Sequence, residues 1–493
     1  MRKIIIFLGV VLSVSFVSCD RFLEHSDKDL IIPETAEQYR QLLIGEGYPH
    51  AFQTDVAYMK LMDDDIEIWY GSKDKEQTSD VQDMKGVFTW QRDLEEEMNS
   101  VDGAYSARYK NILGCNLIIN DSEKIDGREE DVNLLVAQAL TLRAYNYFCL
   151  VNWYAKPYNK STADSDPGVC IWLDTKPSME RLYRESVSKV YELIRDDITR
   201  ALELFKNASV PDNKFEITRE AALLLASRVA LYQENWADVK KYGEQVLDVV
   251  PSLYDLKGSE ITFGESSFSF IDPLKNPEIL FNFGDLRTSY KYIYSIKGNT
   301  AGPFFQVSQF SDDALLKLYD MDNDLRRKAF FGEEAYQYEP IKFSRSPAAG
   351  TGEAWRVAEV YLNLAEAYVR DENEPDLGRA VELINEIRKN RIVGYQDVQA
   401  GDYDVTSFLP VIYEERRKEL CFEETHRWWD LRRQGMPELK HVLVSKGGVE
   451  ETFMLERGDM GYVLEIPRKE REYNTAMELN RRPERKSVET NIE

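Results

Sequence analysis

Apolar side chains recur at helical spacing over much of the chain. From Asp131 to Tyr154 two stripes run along one predicted helix. Leu135, Ala139, Leu142, Tyr145, Cys149 and Trp153 form the first, and Val136, Leu140, Ala144, Tyr147, Val151 and Tyr154 the second. A helix with two apolar faces packs on more than one side. A second helix is predicted from Ser186, with Val187, Val190, Ile194, Ile198, Ala201 and Phe205 in register. A third covers Thr218 to Gln233, and a fourth runs from near Trp236 to Val249. Only Glu234-Asn235 separates those two, so they must fold back as an antiparallel hairpin. The pattern recurs. Leu225-Ala226 leads to Val239 and Val246, much as Leu364-Ala365 leads to Ala380 and Ile387. Small and medium apolar residues in each second helix let it lie close to the first, as in degenerate tetratricopeptide-like units. A shorter helix is expected from Thr35, carrying Tyr39, Leu42 and Leu43. Elsewhere the period is lost. Residues 63–90 read as a long loop with short strands, and 251–350 as a largely irregular connection, long enough to be functional.

The first residues follow a different pattern. Arg2 and Lys3 precede an apolar run from Ile4 to Val17, then Ser18 and Cys19. The run is shorter than the roughly 20 residues that span a bilayer and has the layout of a secretory signal. A cysteine directly after the small residue resembles the lipobox of bacterial lipoproteins, with Phe16 where Leu is more usual. The resemblance implies cleavage after residue 18 and a lipidated Cys19.

Composition narrows the function. The net charge of −25 disfavours nucleic acid as a partner and suits an exposed, soluble body. Aromatic residues are 12% of the chain, with 28 Tyr and 8 Trp, which points to a ligand-facing use for some of them. Cys115, Cys149, Cys170 and Cys421 show no CxxC pair and no zinc spacing. Buried free thiols are the expectation for Cys149 and Cys421. No HExxH, GxSxG, Walker loop or dinucleotide fingerprint occurs. His25, His50, His426 and His441 are too scattered to suggest a triad or a metal cluster. The 87 acidic residues leave a glycosidase-like carboxylate pair open only by their abundance. Asp320, Asp322 and Asp324 imitate the start of a calcium loop, but Leu325 and Phe331 stand where Gly and Glu are needed. Asp63-Asp64-Asp65 is expected to be a solvated turn whose carboxylates diverge. No enzyme activity, metal or cofactor is expected.

Several stretches together resemble the SusD/RagB family of outer-membrane nutrient-binding lipoproteins of Bacteroidetes. Cys19 is followed closely by Phe22-Leu23-Glu24, and AQALTLRAYNYFCLVNWYAKPY runs from Ala137. WRVAEVYLNLAEAYVR and ELINEIRKNR come later, and YEERRKELCFEETHRWWDLRRQG, Tyr413 to Gly435, is the most specific stretch. Glu465-Ile466-Pro467 precedes Asn474 and Asn480. Thr425 stands where many members have Gly, and Arg481-Arg482-Pro483 replaces the usual ending. The resemblance implies a mainly all-α fold: a tetratricopeptide-like scaffold with an irregular, loop-rich face. It divides the chain into a signal (1–18), an N-terminal region (19–260) and a C-terminal region (261–493) of one continuous body. It further implies a lipid anchor in the outer membrane facing the exterior, a glycan or other nutrient ligand, and a SusC-like TonB-dependent transporter as partner.

Arg427-Trp428-Trp429-Asp430 invites a sugar-binding role, but it sits in a packed helical pattern, where Trp fills core and Arg427 would pair with Glu419 or Glu423. The ligand site is expected on the loops instead. A sugar's apolar ring face stacks on a flat aromatic, while its hydroxyls need polar groups at the edge. One candidate region holds Trp69, Tyr70 and Trp90 amid Asp, Lys and Gln. The other holds Tyr290, Tyr292 and Tyr294, alternating as on one strand face, with Arg287 and Lys291 nearby. Trp69 and Tyr292 are the leading candidates, and glycan-binding members of the family build their sites from roughly these regions. The alternative is an envelope scaffold that binds proteins along a continuous groove, with no small ligand.

Overall fold

The structure is a computed structural model that describes residues 33–49, 54–72, 74–94, 103–176, 182–264, 268–284, 292–293, 301–334, 336–342 and 352–491. Its helices are α1 (Ala36–Leu42), α2 (Ser79–Phe88), α3 (Ala104–Asp121), α4 (Glu129–Tyr154), α5 (Val187–Leu204), α6 (Arg219–Tyr232) and α7 (Trp236–Leu247). The series continues with α8 (Arg326–Phe330), α9 (Val357–Arg370), α10 (Leu377–Arg391), α11 (Val405–Leu420), α12 (His426–Arg433) and α13 (Arg468–Tyr473). Strands are β1 (Ile66–Trp69), β2 (Ile279–Phe283), β3 (Phe304–Val307), β4 (Phe331–Glu334), β5 (Gln337–Pro340), β6 (Glu353–Arg356), β7 (Leu439–Ser445), β8 (Val449–Leu455) and β9 (Val488–Asn491). They form three two-stranded ladders, β1–β3, β2–β6 and β4–β5, and one three-stranded sheet, β7–β8–β9.

Helix α4 is the axis. Glu129, Glu130 and Asp131 occupy its first turn, where the helix dipole favours negative charge, and every residue from Leu135 to Tyr154 is buried. Its two stripes pack on α3 and α5, as the doubled pattern requires. It is also long and apolar enough to cross a membrane, but 94% of its apolar window lies inside the protein, so it serves as a core helix. Capping residues set the other boundaries. Ser186 accepts a bond from Lys189 N to start α5, Thr218 accepts one from Ala221 N to start α6, and Asn235 accepts one from Asp238 N to start α7. Both predicted hairpins are present, α6 with α7 and α9 with α10, and α7 packs against α9 to join them. A Cβ at Gly243 in α7 would sit 2.8 Å from the Leu364 side chain of α9, so the glycine sets how closely the two hairpins approach.

Two stretches depart from expectation. The stretch 63–90 contains a helix, α2, which buries Val81, Met84, Val87 and Phe88. Residues 251–350 are interrupted by four of the nine strands and by α8. These elements are short and buried on more than one side, so neither period develops. All four cysteines after Cys19 are buried free thiols.

The stretch Tyr413 to Gly435 proves to be architectural. Glu415 and Glu419 of α11 and Glu423 beyond it enter a buried lattice with Arg326, Arg356, Arg388, Arg391 and Lys342. Glu278 and Asp324 bring the carboxylates to five, and Lys418, 3.5 Å from Glu415, is a sixth cation. Glu419 alone meets Arg326, Arg356 and Arg391, and these guanidiniums hold its carboxyl well below the usual range against the opposing effect of burial. Arg427 is not part of this lattice. It reaches instead to Asp64, with both carboxylate oxygens at 2.7 Å, because Glu419 and Glu423 are already engaged. Trp428 and Trp429 are fully buried, and Asp430 pairs with Arg416 and Arg433.

Candidate functional site

Strand β1 alternates, with Ile66 and Ile68 turned into the core and Glu67 and Trp69 half-buried on the outer face. It pairs antiparallel with β3, Trp69 opposite Phe304 and Ile66 opposite Val307. Just past β3, Phe310 lies 49% exposed. Trp69 stacks on its ring at 5.6 Å and 29°, and Tyr70 stacks on it at 6.3 Å and 11°. The three rings form a continuous aromatic surface.

Backbone contacts fix this surface in place. Gly71 has φ +59, which a side chain would strain, and the next residue, Ser72, donates its N–H to Ala301 O. A Cβ at Gly302 would lie 1.7 Å from Glu76 O, so the two loops touch backbone to backbone. The Tyr70 hydroxyl donates to Glu450 Oε1 of β8 at 2.9 Å, and burial together with that carboxylate pushes the phenol up to about 12.

The surface borders a cleft of about 560 Å³. Its walls carry Asp64, Glu67, Asp312, Asp313 and Glu438 against Lys440, so the cleft is negative. Such a lining accepts hydrogen bonds from hydroxyls and repels anionic ligands. Two of its carboxylates are already occupied. Glu67 accepts from Gln306 Nε2 at 2.9 Å and from Phe310 N at 3.1 Å, and burial raises its pKa. Asp64 is bound by Arg427 and Arg417, and these cations hold it well below the usual range despite burial.

Asp63-Asp64-Asp65 is therefore no solvated turn. Asp63 and Asp65 are buried, and one oxygen from each of the three lies within 4.8 Å of the others. Paired arginines make this convergence possible: Arg427 on Asp64 and Arg417 on both Asp64 and Asp65. The acidic turn further on also splits. Asp320 accepts from Asp322 N and Asn323 N at the surface, whereas Asp324 is buried against Arg326.

The candidate aromatics fall into three groups. Trp69 and Tyr70 come together, joined by Phe310, which has no periodic signal in the sequence. Trp90 belongs to the core: its indole donates to Met62 O at 2.8 Å and its ring stacks on His441 at 4.1 Å. His441 lies between Trp90 and Phe88, its ring nitrogens 2.6 Å from Phe88 O and 3.0 Å from Asp63 O, and burial drives its pKa down to about 4. Trp90 thus supports the floor of the cleft and exposes no face to a ligand. Tyr292 is also buried, at 8% exposure, within the core cluster. Tyr290 and Tyr294 lie outside the described residues, as does Cys19.

The fold is thus a helical-repeat scaffold that carries an aromatic, acid-lined cleft. The comparisons with known proteins say which kind. A family model described as starch-binding, associating with the outer membrane, matches residues 26–231, and one described as the SusD family matches 332–488. A putative sugar binding protein from Bacteroides vulgatus is 22% identical, with a TM-score of 0.69 over 92% of this chain and 99% of its own. A SusD superfamily protein from Bacteroides thetaiotaomicron is 20% identical, with a TM-score of 0.68 over 91% of this chain and all (100%) of its own. A SusD-like carbohydrate binding protein from Bacteroides vulgatus is 19% identical, with a TM-score of 0.66 over 91% and 98%. No curated protein matches the chain. The chain belongs to the SusD/RagB family.

Proposed function

We propose that this protein is a surface-exposed outer-membrane lipoprotein that binds a glycan on the Trp69–Tyr70–Phe310 surface. In this reading it passes the glycan to a SusC-like TonB-dependent transporter. The observation that carries the reading is the stack of Trp69 and Tyr70 on Phe310 beside an acid-lined cleft. Sugar ring faces are apolar and their edges are hydroxylated, so a flat aromatic bordered by carboxylates suits both. The negative lining favours neutral glycans over uronates or sulfated chains at this site. Lipidation of Cys19, the outward orientation and the transporter follow from the family and the N-terminal motif.

Binding without catalysis fits the same geometry. A glycoside hydrolase needs one carboxyl poised as an acid and another free to act as base or nucleophile. Asp64 is ionised and clamped by two arginines, and Glu67 already accepts two hydrogen bonds. Affinity electrophoresis through gels containing neutral polysaccharides tests the reading. At least one neutral polysaccharide should retard the protein without new reducing ends appearing. Retardation by anionic polysaccharides alone, or turnover that survives repurification, would refute it.

A further inference from the structure

Strand β5 packs beside β3, so the β4–β5 hairpin flanks the ladder that carries Trp69. Its tip meets the aromatic surface through a side-chain bond: Gln309, the residue before Phe310, donates from Nε2 to Tyr336 O at 2.9 Å. Tyr336 directly precedes Gln337, which pairs with Glu334 as the closing rung of the hairpin. Its φ is +64, in a position where hairpin turns favour Gly or Asn and a bulky side chain costs conformational energy. The side chain is nevertheless 75% exposed, so burial of the ring does not offset that cost.

Tyr336 lines a second cavity, of about 830 Å³, which shares no lining residue with the acid-lined cleft. On its walls Phe263 and Phe268 meet edge to face at 5.3 Å and 79°, and Met321 is 67% exposed. Arg327 Nη1 donates to Leu316 O at 3.2 Å and Nη2 to the Tyr338 hydroxyl at 3.0 Å, which fixes another wall. Arg327 and Lys328 balance Glu333 and Glu339, so this lining is close to neutral. The Gln309–Tyr336 bond therefore links two openings, one bordered by Phe310 and the other by Tyr336.

We propose that Tyr336 forms a second subsite for the same ligand, so that the protein selects oligosaccharides over mono- and disaccharides. One glycan chain runs from the Trp69–Tyr70–Phe310 surface past Gln309 onto Tyr336 and the cavity it lines. This rests on the glycan reading above and adds the length of the ligand to it. Each sugar unit presents an apolar ring face, so a second exposed aromatic gives a longer chain a second stacking contact. Once the first contact is made the second is intramolecular, and its gain is large because the two subsites are adjacent. A near-neutral lining suits a neutral chain, as the negative cleft does.

Titration calorimetry on the full mature chain tests this with maltose against maltohexaose, xylobiose against xylohexaose and mannobiose against mannohexaose. In a series that binds, the parent should prefer the hexasaccharide by at least about tenfold, beyond the few-fold gain from extra registers on a longer chain. Tyr336→Gly removes the ring and suits the left-handed backbone, so its stability to urea should be no lower than the parent's. It should bind the disaccharide like the parent and the hexasaccharide about tenfold more weakly, the scale of a truncated contact at a binding hot spot. Tyr336→Trp keeps a flat ring and should retain the preference for length. Trp69→Ala should weaken binding of both lengths. A Tyr336→Gly variant that holds the hexasaccharide like the parent, where Trp69→Ala has lost it, would overturn the extension and leave the Trp69 site standing. A parent that binds both lengths alike, or a Tyr336→Gly variant that loses both equally, would overturn the extension as well. If no oligomer binds the parent, the glycan reading falls together with this one.

Discussion

Replacing Glu419 by Gln removes one charge from the buried lattice and leaves the side chain's size unchanged. Oε1 accepts from Arg356 Nη1 at 3.0 Å and Arg391 Nη2 at 2.9 Å, and Oε2 accepts from Arg326 Nη1 and Arg391 Nε, both at 3.1 Å. The amide keeps one acceptor oxygen and turns its NH2 group toward two N–H donors. Three fully buried guanidiniums then share one carboxylate fewer. Removing one member of a buried ion pair costs roughly 3–5 kcal/mol, because the partner is left charged and unpaired. Each guanidinium here keeps another carboxylate, so about 3 kcal/mol is expected. That is a large fraction of the roughly 5–15 kcal/mol typical of folded proteins. Urea unfolding followed by circular dichroism measures the change as a lowered midpoint at unchanged slope. Glu414→Gln is the control: that side chain is 47% exposed and pairs with Lys418 at 3.3 Å, so it should shift stability by no more than about 0.5 kcal/mol. A Glu419→Gln variant within about 1 kcal/mol of the parent would show that the lattice does not depend on this carboxylate.

Burial raises the Glu424 carboxyl from 4.5 to about 7, against the pull of Arg228. A raised carboxyl contributes its stability below pH 4.5 and loses it as the pH climbs through 7. At about 1.4 kcal/mol per unit, the difference between parent and Glu424→Gln should change by about 3 kcal/mol across that window, and parallel stability profiles would contradict this. Gly302→Ala should force the loop carrying Tyr70 and Glu76 away from residue 302 and weaken glycan binding while the helical circular dichroism is retained; unchanged affinity would show that the loop contact does not set the aromatic surface. Cys19→Ala should release the protein from the membrane fraction, since stable anchoring needs the several acyl chains that this residue would carry; a variant still firmly membrane-bound would refute lipidation there.

Helices α4 to α7, α9 and α10 were legible because each keeps an unbroken apolar stripe, and the bounds expected for α4 to α7 differ from the observed ones by only a few residues. Helix α3 gave no such pattern, since Arg108, Asn111 and Asn116 are buried beside its apolar residues. The most distinctive stretch of sequence, Tyr413 to Gly435, encodes the ionic core rather than the site, which its dense mix of Glu and Arg could not reveal. Only the partner positions, such as Glu278 and Arg356, show where those charges go. Of the candidate aromatics, composition singled out Trp69 and Tyr70, the pair at the aromatic surface, together with Trp90, and nothing local separates the three. All three are aromatics in irregular surroundings, and only the β1–β3 pairing shows which side each ring faces. The place of Phe310 in this surface is hidden from the sequence for the same reason. It meets Trp69 through a contact between residues 241 positions apart, in a loop without period.

The aromatic surface is tested most directly by calorimetry of Trp69→Ala and Phe310→Ala. The titrant is the neutral glycan that most retards the parent protein in affinity electrophoresis, and Trp236→Ala on the α6–α7 hairpin is the control. Each platform variant should remain folded and lose about 1–3 kcal/mol of binding, roughly 5- to 150-fold in affinity, while the control binds like the parent. If both folded platform variants bind the glycan as tightly as the parent, the ligand does not rest on Trp69 and Phe310, and the proposed site is wrong.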